Sequence, residues 1–171
     1  MTKEEEWKLL EQIHEEEKVI CTQAWTIPQV LSHCERIMDS RRRIRMGELE
    51  EYLKELSKQE HPIAKELYAK HQQLEEMRHH IVKHAERIIP KVLEPIIDGA
   101  PIALLFEELL DISEYALYRS TRVFDHSRGL AYRAYARWTI RAFCSLYIDH
   151  KMDGKEWFPR ETVGRIIFVP V

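Results

Sequence analysis

The stretch that decides the fold is His61–Pro90, HPIAKELYAKHQQLEEMRHHIVKHAERIIP. It contains no glycine, and its prolines stand only at its second and last positions, so nothing between them interrupts an α-helix. At about 100° per residue, Ile63, Leu67, Leu74, Ile81, Ala85 and Ile88 fall on one side, as on a helix that buries one face. Pro62 is tolerated in a first turn, whereas Pro90 and then Pro95 remove amide donors and end or kink the rod.

The rest of the chain repeats this logic. A helix is predicted from about Lys3 to Ile20, carrying Trp7, Leu10, Ile13 and Val19 on an otherwise charged rod that protrudes from the fold. Thr26–Gln29, TIPQ, has the form of a capping box and opens a second helix with Val30, Leu31, Cys34 and Met38 inward. The arginine cluster Arg41–Arg45 follows, and Gly47 is read as the break before a short acidic helix ending near Gln59. DGAP, Asp98–Pro101, stops the long helix, and further helices are predicted over about 102–123 and 130–148, separated by FDHSRG. The tail RIIFVPV, Arg165–Val171, is β-branched and reads as an extended arm that packs on the bundle or on a neighbouring subunit. With 171 residues and only five glycines, the expected fold is all-α: a single domain over 1–171, a bundle of five or six helices with an extended tail over 157–171.

Composition bounds the function. Three cysteines at scattered positions with no CxxC suggest reduced thiols instead of a disulfide framework. The amino terminus is acidic and no apolar run is long, so neither export nor a membrane span is expected and the location is read as cytoplasmic or intracellular. The net charge of −3 conceals segregation: residues 1–20 set three lysines against seven glutamates, while residues 116–171 set ten bases against five acids.

Two polar flanks accompany the stripe of His61–Pro90. His71, Glu75 and His79 run down one and Glu76, His80 and His84 down the other, at the i, i+4 spacing that places imidazole and carboxylate within reach of one metal ion. The ExxH pairs Glu11–His14 and Glu76–His79 resemble the motif of ferritin-type helical bundles, which implies a di-iron site facing the interior. On this rotation Glu76 and His79 point away from the core, and only His14, one heptad after Trp7, points inward. Both flanks are therefore read as solvated, and neither a metal nor another cofactor is expected.

FEELLDISEYALYR, Phe106–Arg119, places Glu108 and Asp111 three apart on one helix flank. The pair is similar to the ExxD segment of MazG-like nucleotide pyrophosphohydrolases, which implies Mg²⁺ held on a nucleoside triphosphate; the ExxE pair of that family is absent from the preceding helix. Arg78–His84 and Arg119–His126 are similar to the Arg/His motif of HEPN ribonuclease domains. The sequence has no glycine-rich phosphate loop, no GxSxG and no HExxH.

The densest signal lies at the carboxy-terminal end. GLAYRAYARWTIRAFCSLYIDH, Gly129–His150, sets Arg133, Arg137 and Arg141 in one line beside an apolar face of Leu130, Ala134, Trp138, Ala142 and Leu146. With Arg119, Arg122 and Arg128, six arginines fall between positions 119 and 141 against one acid, Asp125. Guanidinium groups in line can follow phosphates, and aromatic rings among them can stack on bases. Arg41, Arg42 and Arg43 are read as an extension of that surface. The sequence thus predicts a non-enzymatic assembly or nucleoprotein subunit, self-associating, with nucleic acid as its partner and no membrane contact.

Overall fold

The structure, a computed structural model, describes residues 1–157 and 166–171. It is all-α. The helices are α1 (Lys3–Ala24), α2 (Pro28–Ile37), α3 (Met46–Lys58), α4 (Pro62–Ala85), α5 (Ile89–Asp98), α6 (Phe106–Val123) and α7 (Tyr132–Met152). A 3₁₀ turn over Glu86–Ile88 links α4 to α5. Pro90 stands in the first turn of α5, where its missing amide has no helical partner to lose, and Gly99 caps the end. Among the described residues no helix is long and apolar enough to cross a membrane.

The chain divides into two compact units, and the division falls within α1 and within α4. The first gathers Met1–Leu10 with the residues from Arg78 onward; the second gathers Glu11–Met77 with the carboxy-terminal residues.

In the second unit, Ile20, Ile27, Val30, Cys34, Leu49, Leu53 and Leu67 are buried. Its two strands, β1 (Arg43–Arg45) and β2 (Ile166–Phe168), pair antiparallel with Ile44 opposite Ile167. Period-two alternation buries Ile44 and turns Arg45 outward. The pairing is extended by the amide of Val169, which donates to the Arg42 carbonyl at 2.9 Å, and Val169 itself is buried. The apolar tail thus forms a strand on its own chain; residues 158–165 of the expected arm lie outside the described residues.

Several sequence expectations change here. The N-cap of α2 is Ile27, so the capping box at Thr26–Gln29 does not form; the Thr26 hydroxyl instead donates to the Gln23 carbonyl at 2.6 Å. Gly47 lies inside α3. The break before it is made by the loop at Asp39, whose Oδ1 accepts the amides of Arg41 and Arg43, each at 2.9 Å. Along α1, Leu10, Ile13, Ile20 and Ala24 are buried.

On α4 the buried line is Ala64, Leu67, His71, Leu74, Arg78, Ile81 and Ala85, alternating steps of three and four. Ile63, assigned to the core from sequence, is exposed, because Ala64 takes its place in that line. Two positions of the line carry polar side chains, and this is why a stripe drawn through apolar residues alone missed them.

In the first unit α6 and α7 are antiparallel neighbours. Glu108 meets Lys151, Ser113 meets Cys144 and Ser120 meets Tyr132, so the numbers descend along one helix as they ascend along the other. Phe124, just after α6, is buried with Trp7, Tyr132 and Tyr135 against its ring at centroid distances of 6.5, 5.5 and 5.5 Å.

Candidate functional site: the outward face of α7

Helix α7 buries Tyr132, Ala136, Thr139, Ile140, Cys144 and Ile148. The small residues in this set allow close approach to α6, and the Tyr132 hydroxyl finds Ser120 Oγ at 3.0 Å, so the one large polar group is satisfied. The more apolar line of the sequence, Leu130, Ala134, Trp138, Ala142 and Leu146, lies largely outward, with only Ala142 half-buried. Trp138 is 65% exposed, Leu130 52% and Leu146 44%. Hydrophobicity alone does not choose the rotation of the helix; the neighbour's shape and hydrogen-bonding groups choose the buried side.

That rotation splits the arginines. Arg133 is neutralised by Glu6 of α1: its Nε donates to both carboxylate oxygens, at 2.8 and 3.0 Å, and its Nη2 reaches Glu6 and the Met1 carbonyl. Glu6 is 2% exposed, so this is a nearly buried ion pair, and the pairing holds the Arg133 guanidinium protonated above its already high range. The expected outward Arg133 is therefore corrected. Arg137 and Arg141 are exposed, and among the described residues neither makes an ion pair or hydrogen bond. A groove of about 400 Å³ opens beside the Glu6–Arg133 pair, lined by Lys3, Trp7, Leu130 and Tyr132.

Most of the other arginines expected on this surface are engaged elsewhere. Arg119 is half-buried, its guanidinium 5.2 Å from the centre of the Phe143 ring. Arg122 is buried and donates to the Tyr118 hydroxyl at 3.1 Å. Arg128 is exposed and pairs with Asp125 at 3.3 Å. In the second unit Arg41 is exposed, Arg42 donates to the carbonyls of Val169 and Pro170, and Arg43 pairs with Asp39 at 2.7 Å. The phosphate-sized positive charge left on α7 is Arg137 with Arg141.

The carboxylates and histidines are also placed. Glu108 accepts from Lys151 Nζ at 2.6 and 2.7 Å and from the amide of Leu105 at 3.2 Å, capping α6. The ammonium of Lys151, then the amide, hold its carboxyl below the usual range. Asp111, Glu11 and Glu76 are exposed, and Glu75 is half-buried. His71 is not on a solvated flank: it is buried, with Nδ1 3.4 Å from Oε1 of buried Glu50. His14 is half-buried beside Cys21 and Met46, whose sulfurs approach to 3.4 Å. His79 is exposed with its ring 5.5 Å from that of Tyr118, and His80 meets His84 edge-on at 4.8 Å. Burial, with the neighbouring amino terminus, lowers the His84 pKa. Among the described residues no three His, Cys, Asp or Glu come together in a metal-binding group.

Sequence reading missed the buried charges Glu6, Glu17, Glu50 and Arg78, the last fully buried. For Arg78 a signal existed, since it continues the three-four spacing of Ala64, Leu67, His71 and Leu74. For Glu6 none did, because its partner is 127 residues away. No family model matches the chain, and no curated protein or solved structure matches it.

Proposed function

We propose that the chain is a non-enzymatic nucleoprotein subunit that contacts nucleic-acid backbone through the outward face of α7 and assembles with copies of itself. What carries the reading is the pair Arg137 and Arg141, exposed and without an acidic partner among the described residues, in a line beside an indole that is 65% exposed. Arginine forks match phosphate oxygens, and a ring beside them supplies a stacking surface. The mildly acidic pI of about 6.3 does not oppose this, because charges more than about 10 Å apart are largely screened at ordinary salt and the local patch governs contact. Support for self-association comes from large apolar side chains left in solvent away from that line, Leu105 and Phe106 at the start of α6 among them, which a sister subunit would cover.

The test is fluorescence anisotropy with labelled DNA and RNA at ~50 mM salt, repeated at rising salt, beside measurement of mass in solution with and without the polymer. Affinity should fall steeply with salt, and Arg137→Ala with Arg141→Ala should weaken it. Absence of binding to every polymer at ~50 mM salt ends the reading.

A further inference from the structure

The geometry points to a narrower ligand, and this inference rests on the reading just given: the face of α7 takes single-stranded nucleic acid, with one base stacked on Trp138 and the flanking phosphates on Arg137 and Arg141.

Trp138 is held as a platform. Its ring lies 6.0 Å from that of Tyr135 at an interplanar angle of 32°, and Tyr135 lies 5.5 Å from Phe124, which is buried. A row of three rings thus runs from the core to the surface and supports the last one on one side. A base landing on it meets a ring whose freedom is already restricted, so little further entropy is lost on binding. An indole left mostly in water contributes little to the fold, and its large apolar face is available to a ligand.

The charges sit where a single strand needs them. Arg137 and Arg141 are one helical turn apart, about 6 Å along the axis, and at about 100° per residue Trp138 projects to one side of the line they make, so an extended strand lying along that line can touch both guanidinium groups while turning a base sideways onto the ring. A duplex offers the same phosphates with its base faces already stacked inside, and the indole would then meet only backbone. A second copy of this chain is the weaker occupant. Symmetric pairing of two such faces would set arginines of one copy near arginines of the other, and α7 carries a single acid, Asp149, to offset them.

The experiment uses the full chain with a labelled single strand, thymidine-only or uridine-only, and a mixed-sequence duplex of the same length, at ~50 mM salt. The variants are Trp138→Ala, Trp138→Phe and Arg137→Ala/Arg141→Ala. The single strand should bind more tightly than the duplex. Trp138→Ala should lower single-strand affinity about 10-fold, within the range of one lost base–aromatic stack, and leave duplex affinity within about twofold. Trp138→Phe should restore most of the loss, and the slope of affinity against salt should stay unchanged in both, since no charge is removed. The double arginine variant should reduce that slope by about 1.4 for a single strand. Trp138 is exposed, so these variants keep the fold, and a thermal melt confirms it. Equal affinity for duplex and single strand, or single-strand binding indifferent to Trp138→Ala, overturns the stacking inference while leaving the backbone reading in place. A mass that halves in Trp138→Ala without any polymer assigns the face to a second copy and also overturns it. No binding to either polymer overturns both.

Discussion

Replacing Arg133 by methionine should unfold the first unit more easily, whereas replacing Arg137 or Arg141 should not. Arg133 directs Nε and Nη2 at a carboxylate that is 2% exposed, and a third contact reaches the Met1 carbonyl. Methionine preserves much of the stem but leaves Glu6 charged, buried and without its fork. Removing one partner from a buried ion pair costs about 3–5 kcal/mol. Arg133 keeps 25% of its side-chain surface in water, so solvent replaces part of the lost contact, and about 2–3 kcal/mol is expected. Arg133→Lys keeps the charge and loses the bidentate geometry, for about 1 kcal/mol. The assay is urea denaturation followed by far-ultraviolet circular dichroism, with linear extrapolation to water. Glu6→Gln combined with Arg133→Met should cost clearly less than the two single changes added, since the second change removes a group already stranded by the first. Arg137→Ala and Arg141→Ala should each stay within about 0.5 kcal/mol of the wild type, as exposed substitutions do. An Arg133→Met cost below about 0.5 kcal/mol, or one matched by Arg137→Ala, would refute the reasoning.

Two further outcomes follow from titrating groups. Lys151 and the Leu105 amide lower the Glu108 pKa from its ordinary 4.5, so the folded state holds this carboxylate more firmly than the unfolded chain does. Its contribution is therefore present above about pH 4.5 and lost as pH falls below that through the folded value. Glu108→Gln should flatten the fall in melting temperature between about pH 6 and about pH 3, and an unchanged acid limb would contradict the assignment. Burial first, and then the carboxylates of Glu17 and Glu50, push the Cys21 thiol up to about 12; burial, with Glu48, pushes Cys34 to about 11. Both should resist iodoacetamide at about pH 8 in the folded protein and react on denaturation, as read by intact mass; alkylation of folded Cys21 at the rate of an exposed cysteine would count against its placement.

The helices were legible because their ends are written locally. Pro62 and Pro90 stand at the start of α4 and in the first turn of α5, and Gly99 closes α5, each for a backbone reason that no distant residue can change. Two local signals misled, the cap expected at Thr26 and the break expected at Gly47; the other misreadings are of another kind. Arg43–Arg45 becomes a strand only because Ile166–Phe168 pairs with it, and no local propensity announces a ladder between segments so far apart. His71 and Arg78 fill core positions of α4 although their side-chain types suggest exposure, since burial follows spacing and partners as well as polarity. On α7 the line with Leu130, Trp138 and Leu146 is the greasier one, yet Ala136, Thr139 and Cys144 are buried, with Cys144 against Ser113 and Tyr132 against Ser120 of α6. Hydrophobicity set the period there, and complementarity with α6 set the register.

The same contrast explains why the candidate site is smaller than its sequence. Arg133, Arg137 and Arg141 are equivalent by spacing, and what separates them is a glutamate at position 6 that only folding brings near the first. Two guanidinium groups and one ring then remain for a polyanion. One stacked base contributes about 1–3 kcal/mol, and two phosphate contacts add a modest, salt-sensitive increment, so a single subunit would hold a strand weakly. Linked or adjacent copies on one strand change that, because every contact after the first is made at high effective concentration, and overall avidity can exceed the single-site affinity by about 10²–10⁴. Under the proposed function, self-association and strand binding would be one property: a face this small would become a useful nucleic-acid surface only when several copies present it along the same polymer.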